Sequence, residues 1–509
     1  MSYKPTTNLA GVGFMSLQFS RVGFLAAFLA GAAAMPGPNS ALAESATSEG
    51  AKALAQSLTP YFGQSALERG LITVVPKGEG YELGFDLQGI VDGFGLPKGA
   101  LQIETFSLRA APLGDGTWKV TSDSFPKFAF EIPTSEGDIG ASVSSSSRML
   151  DGVYDPKLAA FLSFTDKIAA FDIKMHAPDF DVMASVSGAD VRSQNLGLAD
   201  GSVSGKLQET FRRVQETVRR RPTVNAGDSS SAPITVSYDV GPITYDASVE
   251  SARTREFLDL LAFFVAHRGE QEMIAHQDEL KSKILSAFPL FKRIDVTAKV
   301  ENAALDTPEG RIGAKSVVQT LHQTGLVERA STEFGVTIDG LRMPSGLIPS
   351  WAMPLVPTSL DVDVKLQMND LDKIAHAALA SFDLRPDHAP DPAKTMDLLG
   401  MAMGSEPKLS VAPGHLSSPD LELYFRGEMT FVPKPMGTLT LEAEGLDKAL
   451  ARLQGAAKND PDLQRAALGL TLAKGLAKPG GNGRSVWLIA YGSDGALTVN
   501  GQRMGAPKK

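Results

Sequence analysis

Strict alternation over residues 359–368 is the feature that most limits the possible folds of this chain. In the segment SLDVDVKLQM, apolar side chains take every second position, and charged or amide side chains take the positions between them. Successive side chains of a strand point to opposite faces, so this pattern predicts a strand with one buried and one solvent face. Half-buried strands of this kind are typical of antiparallel sheets.

Other segments extend the prediction to a mixed fold. Asp115 and Gly116 lie between two strand-like segments, where they favour a tight hairpin turn, and further strand patterns occur in FDIKMHA, FDVMASVSG, KRIDVTAKV and SVWLIAY. Helical patterns occur near residues 51–70 and in DELKSKILSAF, and Asp460 with Pro461 indicates a helix start. The sequence therefore predicts an α+β fold made mainly of antiparallel sheet.

A helical segment is predicted between two β-rich parts. In KLQETFRRVQETVRRR, the residues Leu207, Phe211, Val214 and Val218 follow helical spacing, and Pro222 ends the pattern. The next segment, EFLDLLAFFVAH, is apolar almost all round and predicts a buried helix. We therefore expect an N-terminal β-rich module over 44–205, a helical segment over 206–290 and a C-terminal β-rich module with helices over 291–509.

Two pairs of similar segments suggest that the β-rich modules are related halves. VDGFGLPKG at 91–99 and IDGLRMPSG at 338–346 both predict a strand that ends on Val91 or Ile338 and is followed by an Asp-Gly turn. A second pair, at 366–379 and 441–454, predicts a strand end followed by Leu-Asp-Lys opening a helix. The alternative is that turn chemistry alone recurs, because Gly, Pro and Asp are common in turns.

The N-terminus has the pattern of a secretory signal peptide. Lys4 and Arg21 precede an apolar run of 14 residues, and Ala41-Leu42-Ala43 predicts cleavage after Ala43. The run is shorter than the roughly 20 residues that a membrane-spanning helix needs. Translation from Met1 or from Met15 is compatible with this signal. We expect a periplasmic protein with no transmembrane segment in the mature chain.

Charge and cysteine content exclude several classes of function. Removal of residues 1–43 takes away two basic residues and no acidic one, which changes the net charge from −9 to −11, so nucleic acid is not an expected partner. The chain has no cysteine. Disulfides, cysteine-bound zinc and a thiol nucleophile are therefore excluded.

No local motif predicts a catalytic, cofactor or metal site. GSVSG at 201–205 has Val203 where a nucleophile elbow needs serine, and Pro126 disfavours the helical turn that would bring Ser124 to Lys127. Asp361 and Asp363 fit the wet face of a strand and not a calcium loop. The Gly-rich GLAKPGGNGRS lacks the ending of a phosphate-binding loop, which predicts a helix-to-strand connection.

The seven histidines are scattered, and His267 and His276 are the nearest neighbours among them. Nine residues on one straight helix place them on opposite faces, so they share a metal only if Gly269 breaks the helix. Glu272 and His276 have i,i+4 spacing, but a pair needs further ligands. Solvated or ion-paired side chains are the expected alternative.

Five arginines form the one candidate surface that the sequence offers. On the predicted helix they flank two glutamates opposite the apolar stripe, where they could contact anionic lipid headgroups or an acidic partner. The alternative is an ordinary solvated helix face. The residues are Arg212, Arg213, Arg219, Arg220 and Arg221.

The chain resembles an exported bacterial family called domain of unknown function 2125. The resemblance rests on the signal peptide, LQIETFSLRAAPLGDGTWKVTSDSFPKFAFEI, IDGLRMPSG, LDVDVKLQMNDLDKI and ALTVNGQRM, and residues 206–290 match least. It implies a periplasmic or envelope location in a Gram-negative bacterium and brings no activity or catalytic residues.

These observations favour a non-enzymatic envelope protein with a binding or scaffolding role. The expected ligand is apolar and lipid-like, held between the sheet and the helices EFLDLLAFFVAH and DELKSKILSAF. Two alternatives stay open. One is a periplasmic hydrolase whose site leaves no local motif, and the other is an adaptor that presents strand edges to another envelope protein. The sequence does not determine the oligomeric state.

Overall fold

The computed structural model describes residues 46–91, 100–135, 137–221, 234–267, 269–385 and 392–504. It is 51% strand, and ten α-helices occur in the described residues. The chain divides into two compact units, the first ending at Leu290 and the second beginning at Phe291. The described strands pair antiparallel within each unit, so the predicted α+β fold of antiparallel sheet is confirmed. A relation between two halves stays a prediction.

The first unit begins and ends with helices, and strands lie between them. In chain order its elements are α1 (Ser48–Phe62), α2 (Gln64–Glu68), β1 (Ile72–Lys77), β2 (Gly80–Phe85), α3 (Leu87–Val91), β3 (Leu101–Ile103), β4 (Phe106–Pro112), β5 (Trp118–Ser122), β6 (Phe128–Thr134), β7 (Gly137–Ser145), β8 (Arg148–Asp155), β9 (Ala160–His176), β10 (Phe180–Gly197), β11 (Val203–Arg220), β12 (Ile234–Val240), β13 (Ile243–Ala252), α4 (Thr254–Ala266), α5 (Glu270–Ala275) and α6 (Gln277–Ala287).

Three long strands, β9, β10 and β11, form the centre of the first unit's sheet. Strands β8 and β7 pair with successive lengths of β9, and β13 and β12 do the same along β11. From β8 the sheet continues through β5, β4 and β2 to β1, and from β7 it continues through β6 to β3. The predicted hairpin between β4 and β5 is present, with Gly116 at φ 89°.

A crease, defined by Ala169, Gly188 and Arg212, crosses the three long strands. Ser187 pairs with residues 170 and 213, and Ala189 pairs with residues 168 and 211, so the pairing skips all three crease residues in one row. Gly188 has φ 62°, which glycine adopts without the steric cost of a side chain. On each strand the buried positions shift by one residue at the crease.

Helix α1 closes the core of the first unit. Thr47 caps its first turn by accepting a hydrogen bond from Gly50 N, as N-cap threonines commonly do. Leu54 and Leu58 on its inner face are fully buried against Leu83 and Phe85 of the sheet. Truncating a fully buried Leu or Phe to Ala costs about 2–5 kcal/mol, so this contact sets much of the unit's stability.

The predicted helix over 206–221 is wrong, because residues 206–220 belong to strand β11. Phe211 is buried before the crease, and Val214 and Val218 are buried after it. Side chains on one face of a regular strand are two residues apart. Because the face shifts by one residue at Arg212, the apolar residues from Leu207 to Val218 are spaced by four, three and four residues, as on a helix. Strands β12 and β13 also lie in the predicted helical segment, which becomes helical only from Thr254.

The predicted buried helix EFLDLLAFFVAH is α4, but only part of its surface is buried. Leu258 and Phe263 are buried, whereas Phe257, Leu261 and Phe264 are more than 40% exposed. The prediction of a helix is therefore confirmed and the prediction of burial all round is wrong.

The second unit is a sheet in which most strands pair in chain order. Its elements are β14 (Arg293–Thr307), β15 (Gly310–Thr324), β16 (Arg329–Asp339), β17 (Ser359–Asn369), α7 (Leu371–Ser381), α8 (Pro392–Gly404), β18 (Lys408–Ser417), β19 (Glu422–Thr430), β20 (Met436–Glu444), α9 (Leu446–Ala456), α10 (Pro461–Leu476), β21 (Lys478–Pro479), β22 (Ser485–Tyr491), β23 (Leu497–Val499) and β24 (Gln502–Arg503).

Each strand from β14 to β20 pairs with the next, and β20, β22, β23 and β24 continue the series. Helix α10 begins as predicted, with Asp460 accepting hydrogen bonds from the first-turn amides. It packs on the sheet at Trp487, whose indole N–H donates to Ala473 O at 2.7 Å.

The two Leu-Asp-Lys segments have the predicted strand-to-helix form. Asp370 separates β17 from α7 and Gly445 separates β20 from α9, and both residues are left-handed, with φ 53° and 81°. In the first pair of segments, Ile338 lies near the end of β16 and Gly340 has φ 65°, as predicted. Val91, however, ends the short helix α3 and not a strand. Residues 92–99 lie outside the described residues.

The predicted signal peptide, residues 1–43, lies outside the described residues. None of the helices in the described part of the chain has the length and apolar content needed to cross a bilayer.

Candidate functional site

An apolar row crosses the sheet of the second unit at right angles to its strands. Each of its members pairs directly with the next, so all of their side chains lie on one face of the sheet. The row consists of Val296, Leu321, Phe334, Val364, Val411, Gly427, Leu439, Ile489 and Val499.

A second row on the same face runs parallel to the first, four residues away along most strands. It is also apolar throughout, and we call the two rows together the apolar face. The second row consists of Val300, Val317, Ile338, Leu360, Leu416, Leu423 and Ala443.

Only part of the apolar face is open to solvent, because Leu423, Ala443, Ile489 and Val499 pack in a core with side chains of α10. Phe334 is 47% exposed and Leu439 is 37% exposed, and beside the first row Leu366, Tyr491 and Leu497 are each 41% exposed. A cavity of about 220 Å³ lies where strands β18, β19, β20, β22 and β23 cross the first row. Its lining is mainly apolar side chains. Neighbouring exposed apolar side chains often mark a binding site, so the face is the strongest candidate for a binding surface among the described residues.

The opposite face of the same strands is polar, as the alternation in β17 predicts. Asp361 accepts a hydrogen bond from Thr337 Oγ1 at 2.9 Å, and Lys365 lies 3.3 Å from Glu333. Partial burial, followed by the carboxylates of Asp361 and Glu333, raises the pKa of Asp363. The face is a wet surface of paired charges, which agrees with the prediction for Asp361 and Asp363.

Two helices of the second unit also expose apolar side chains. On α8, Met396, Leu399 and Met403 are between 42% and 65% exposed, and on α10, Leu468 and Leu472 are more than 60% exposed. Methionine side chains are flexible and adapt to ligands of different shape. The second unit therefore combines a partly open apolar sheet face with exposed apolar side chains on two helices.

The five arginines of the predicted surface do not form one patch, because a strand distributes them over both faces. Arg213 pairs with Asp239 at 2.7 Å, and Arg221 pairs with Asp181 at 2.5 Å. Arg219 stands opposite Asp181, and Arg220 points to the other face, opposite Phe180. The hydrogen bond from Arg221 is the main cause that lowers the pKa of Asp181.

Arg212 lies apart from the other four arginines. Its aliphatic stem covers Gly188 at the crease, beside a polar depression that also contains Asp190 and Arg192. Asp190 and Arg192 pair with each other at 3.0 Å. Contact of the five arginines with an anionic surface stays a prediction.

The serine candidates have structural partners. Ser202, in GSVSG, is fully buried and donates to Asp200 Oδ1 at 2.6 Å. Ser124 bonds with the backbone of Ser107, while Lys127 lies 3.3 Å from Glu104. Ser202 is fully buried although it bonds to a carboxylate, and Ser124 bonds to the backbone, so neither serine has the accessible nucleophile–base arrangement that nucleophilic catalysis requires. The Gly-rich segment connects α10 to β22, as predicted.

His267 and His276 come together, which a straight helix would prevent. Gly269, at φ 102° and ψ 155°, breaks the helix between α4 and α5. The two imidazole rings lie 3.9 Å apart between centroids, and one ligand atom from each of His267, Glu272 and His276 lies within 4.8 Å of the others. The helix break that the two histidines need in order to share a metal ion is therefore present.

Neither the apolar face of the second unit nor the approach of Glu279 to the two histidines of the first unit has a local signal in the sequence. The alternation of β17 is visible, but the face depends on strand register, which the sequence does not give locally. Glu279 is 12 residues from His267 along the chain, and it reaches the histidines only because of the break at Gly269.

Comparison of the chain with protein-family models, with curated proteins and with solved structures gives no match.

Proposed function

We propose that this chain is an exported, non-enzymatic envelope protein that binds the acyl chains of a lipid on the apolar face. The proposal includes a periplasmic location and membership of the family domain of unknown function 2125. The signal-peptide pattern and the resemblance described above support both. The apolar face is the observation that carries the binding function.

The chemistry of the face favours acyl chains over a polar ligand. The backbone groups of its strands are taken up in the antiparallel ladder, and the side chains of its two rows bring no charge or hydroxyl group. A ligand with many hydrogen-bonding groups would lose its bonds to water there without replacement. An acyl chain has no such groups and gains about 0.8 kcal/mol for each methylene that it buries.

The dimensions of the face also suit acyl chains. The first row spans nine strands, and adjacent strands lie about 4.8 Å apart, so the row is about 40 Å long. Each leaflet of a bilayer contributes about 15 Å of hydrocarbon. Ile489 and Val499 pack in a core with α10, and the remaining seven strands, β14 to β20, give the row about 29 Å, which is long enough for an acyl chain of one leaflet.

The test uses a matched pair of variants on β17. Leu366→Glu places a carboxylate on the same side as the apolar face, and Gln367→Glu places the same charge on the next residue, which faces the polar side. The full chain is purified from the periplasm of an expressing bacterium. Its bound lipid is measured by native mass spectrometry and by extraction, and its affinity is measured with a fluorescent palmitate analogue.

We expect the parent chain and Gln367→Glu to carry lipid and to bind the probe. Burying an uncompensated carboxylate beside an acyl chain is costly, so Leu366→Glu should bind at least about tenfold more weakly. A parent chain free of lipid and indifferent to the probe would contradict the proposal, as would equal binding by the two variants. Recovery of a stoichiometric protein partner without lipid would favour the adaptor instead.

A further inference from the structure

A cluster of metal-ligating side chains lies in the first unit, where α4 ends and α5 and α6 begin. His267 follows α4, Glu272 lies on α5, and His276 joins α5 to α6. Among the residues that the structure describes, these three form the one group in which at least three potential ligands converge. Glu279, in the first turn of α6, lies beside them.

The distances in the cluster are not those of hydrogen-bonded pairs. His276 Nε2 lies 3.7 Å from Glu272 Oε2, and His267 Nε2 lies 3.8 Å from Glu279 Oε2. Hydrogen bonds between such groups measure about 2.7–3.2 Å. Two other histidine–carboxylate contacts in this chain do fall near that range, His176 with Glu131 at 2.9 Å and His322 with Asp295 at 2.6 Å.

The separations instead resemble those between ligands of one metal ion. With bonds of about 2.0–2.1 Å to nitrogen and oxygen, two ligand atoms of a tetrahedral zinc ion are about 3.3 Å apart. The distance of 3.7 Å between His276 Nε2 and Glu272 Oε2 exceeds this value by about 0.4 Å, and one ligand atom from each of His267, Glu272 and His276 lies within 4.8 Å of the others. Small side-chain rotations are enough to close such a gap.

The surroundings hold the two histidines in place. The ring of Phe263 lies 4.5 Å from that of His267, whose side chain is only 17% exposed. His276 Nδ1 lies 3.9 Å from Glu279 Oε2, so a histidine that binds metal through Nε2 has a carboxylate facing its other nitrogen. Carboxylates in this position commonly orient metal-bound histidines.

We propose that His267, Glu272 and His276 bind a divalent first-row transition-metal ion such as Zn²⁺, with Glu279 orienting His276. Two imidazoles and one carboxylate are a ligand set that suits this class of ions. The ion ties the end of α4 to the start of α6. Lys283, 3.7 Å from Glu279, places a positive charge near the site that opposes metal binding.

The test measures binding of Zn²⁺ alone to untagged full-length protein that has been stripped with a chelator. Isothermal titration and competition with a chromogenic chelator should give one equivalent, with a dissociation constant of micromolar order or tighter. The variants His267→Ala, His276→Ala and Glu272→Gln should each bind Zn²⁺ at least about tenfold more weakly. Lys283→Met should bind it more tightly, because it removes a competing cation.

His176→Ala is the matched control. It removes a histidine of the first unit that also contacts a carboxylate but belongs to no group of three converging ligands among the described residues, so Zn²⁺ binding should not change. Circular dichroism of each variant in chelator verifies the fold, and Glu272→Gln preserves shape at a side chain that is 61% exposed.

Two results would overturn the metal site. One is a parent chain that takes up no Zn²⁺ at micromolar concentrations, and the other is unchanged affinity in the two histidine variants. The lipid proposal is tested separately, because Leu366→Glu should retain its Zn²⁺.

Discussion

Arg148 and Asp166 form a buried, two-pronged ion pair between β8 and β9. Arg148 Nη2 donates to Asp166 Oδ2 at 2.7 Å and Arg148 Nε donates to both carboxylate oxygens at 3.1 Å, while the side chains are 4% and 0% exposed. The arginine also donates to Ser124 O at 3.4 Å and lies over the ring of Phe125. The pair fixes the segment between β5 and β6 to the middle of the sheet.

We expect Asp166→Asn to destabilise the first unit by about 3–5 kcal/mol, because it leaves the buried guanidinium without its counter-charge. Denaturation in urea, followed by circular dichroism, measures the loss. Asp239→Asn is the control, since it removes a carboxylate from the exposed pair with Arg213, and pairs of that kind contribute about 0–1 kcal/mol. Equal losses in the two variants would contradict this account of the buried pair.

Gly188→Ala should destabilise the first unit through two separate costs. Its φ of 62° strains a residue with a side chain, and the added Cβ would lie 2.6 Å from Arg212 Cδ. Gly201→Ala is the control, with φ 78° and no atom within 4 Å of the added carbon, so it carries only the first cost.

Together the two costs at Gly188 should reach about 1–3 kcal/mol, measured as a shift in the urea midpoint. Adding Arg212→Ala to Gly188→Ala should recover the part that comes from the contact. If the double variant is no more stable than Gly188→Ala alone, the contact with the Arg212 side chain is not a cause of the destabilisation.

Asp363→Asn should stabilise the second unit at neutral pH and not at acidic pH. Burial, then Asp361 and Glu333, raise the pKa of Asp363, so its ionised form opposes folding. That penalty is absent below the pKa of Asp363 in the unfolded chain, near 3.9. It grows as the pH rises from there through the pKa of Asp363 in the folded chain, and it is constant at higher pH.

The gain at pH 7 should stay below about 1 kcal/mol, because solvent and salt screen a partly exposed group. Chemical denaturation of the parent and the variant at pH 7 and near pH 3 measures the difference. A variant less stable than its parent at pH 7 would contradict the prediction.

The sequence predicted those parts of the fold that depend on neighbouring residues. The alternation in β17, the Asp460 cap of α10 and the turn at Gly116 are local patterns, and all three are present. The prediction for β11 was wrong because the buried positions shift by one residue inside the strand. In addition, Glu209 and Glu216 occupy inward positions of the strand, where apolar residues would have shown the alternation of a strand.

The candidate sites could be predicted less well than the fold. Leu366 can be assigned to an apolar side from sequence alone, but its place in a surface that spans nine strands depends on pairing between segments far apart in the chain. His267 and His276 were recognised as neighbours, and the conformation of Gly269 decided whether they meet. A glycine permits such a break without requiring it, so the sequence left both outcomes open.

The crease also restricts how this sheet can change in evolution. Deletion of Gly188 alone would place residues 189–197 one step out of phase with β9 and β11, exchanging their inward and outward side chains. Val191, now in the core, would face water, and Asp190 would enter the apolar interior. Length changes at this position are therefore tolerable only when all three strands gain or lose a residue in concert.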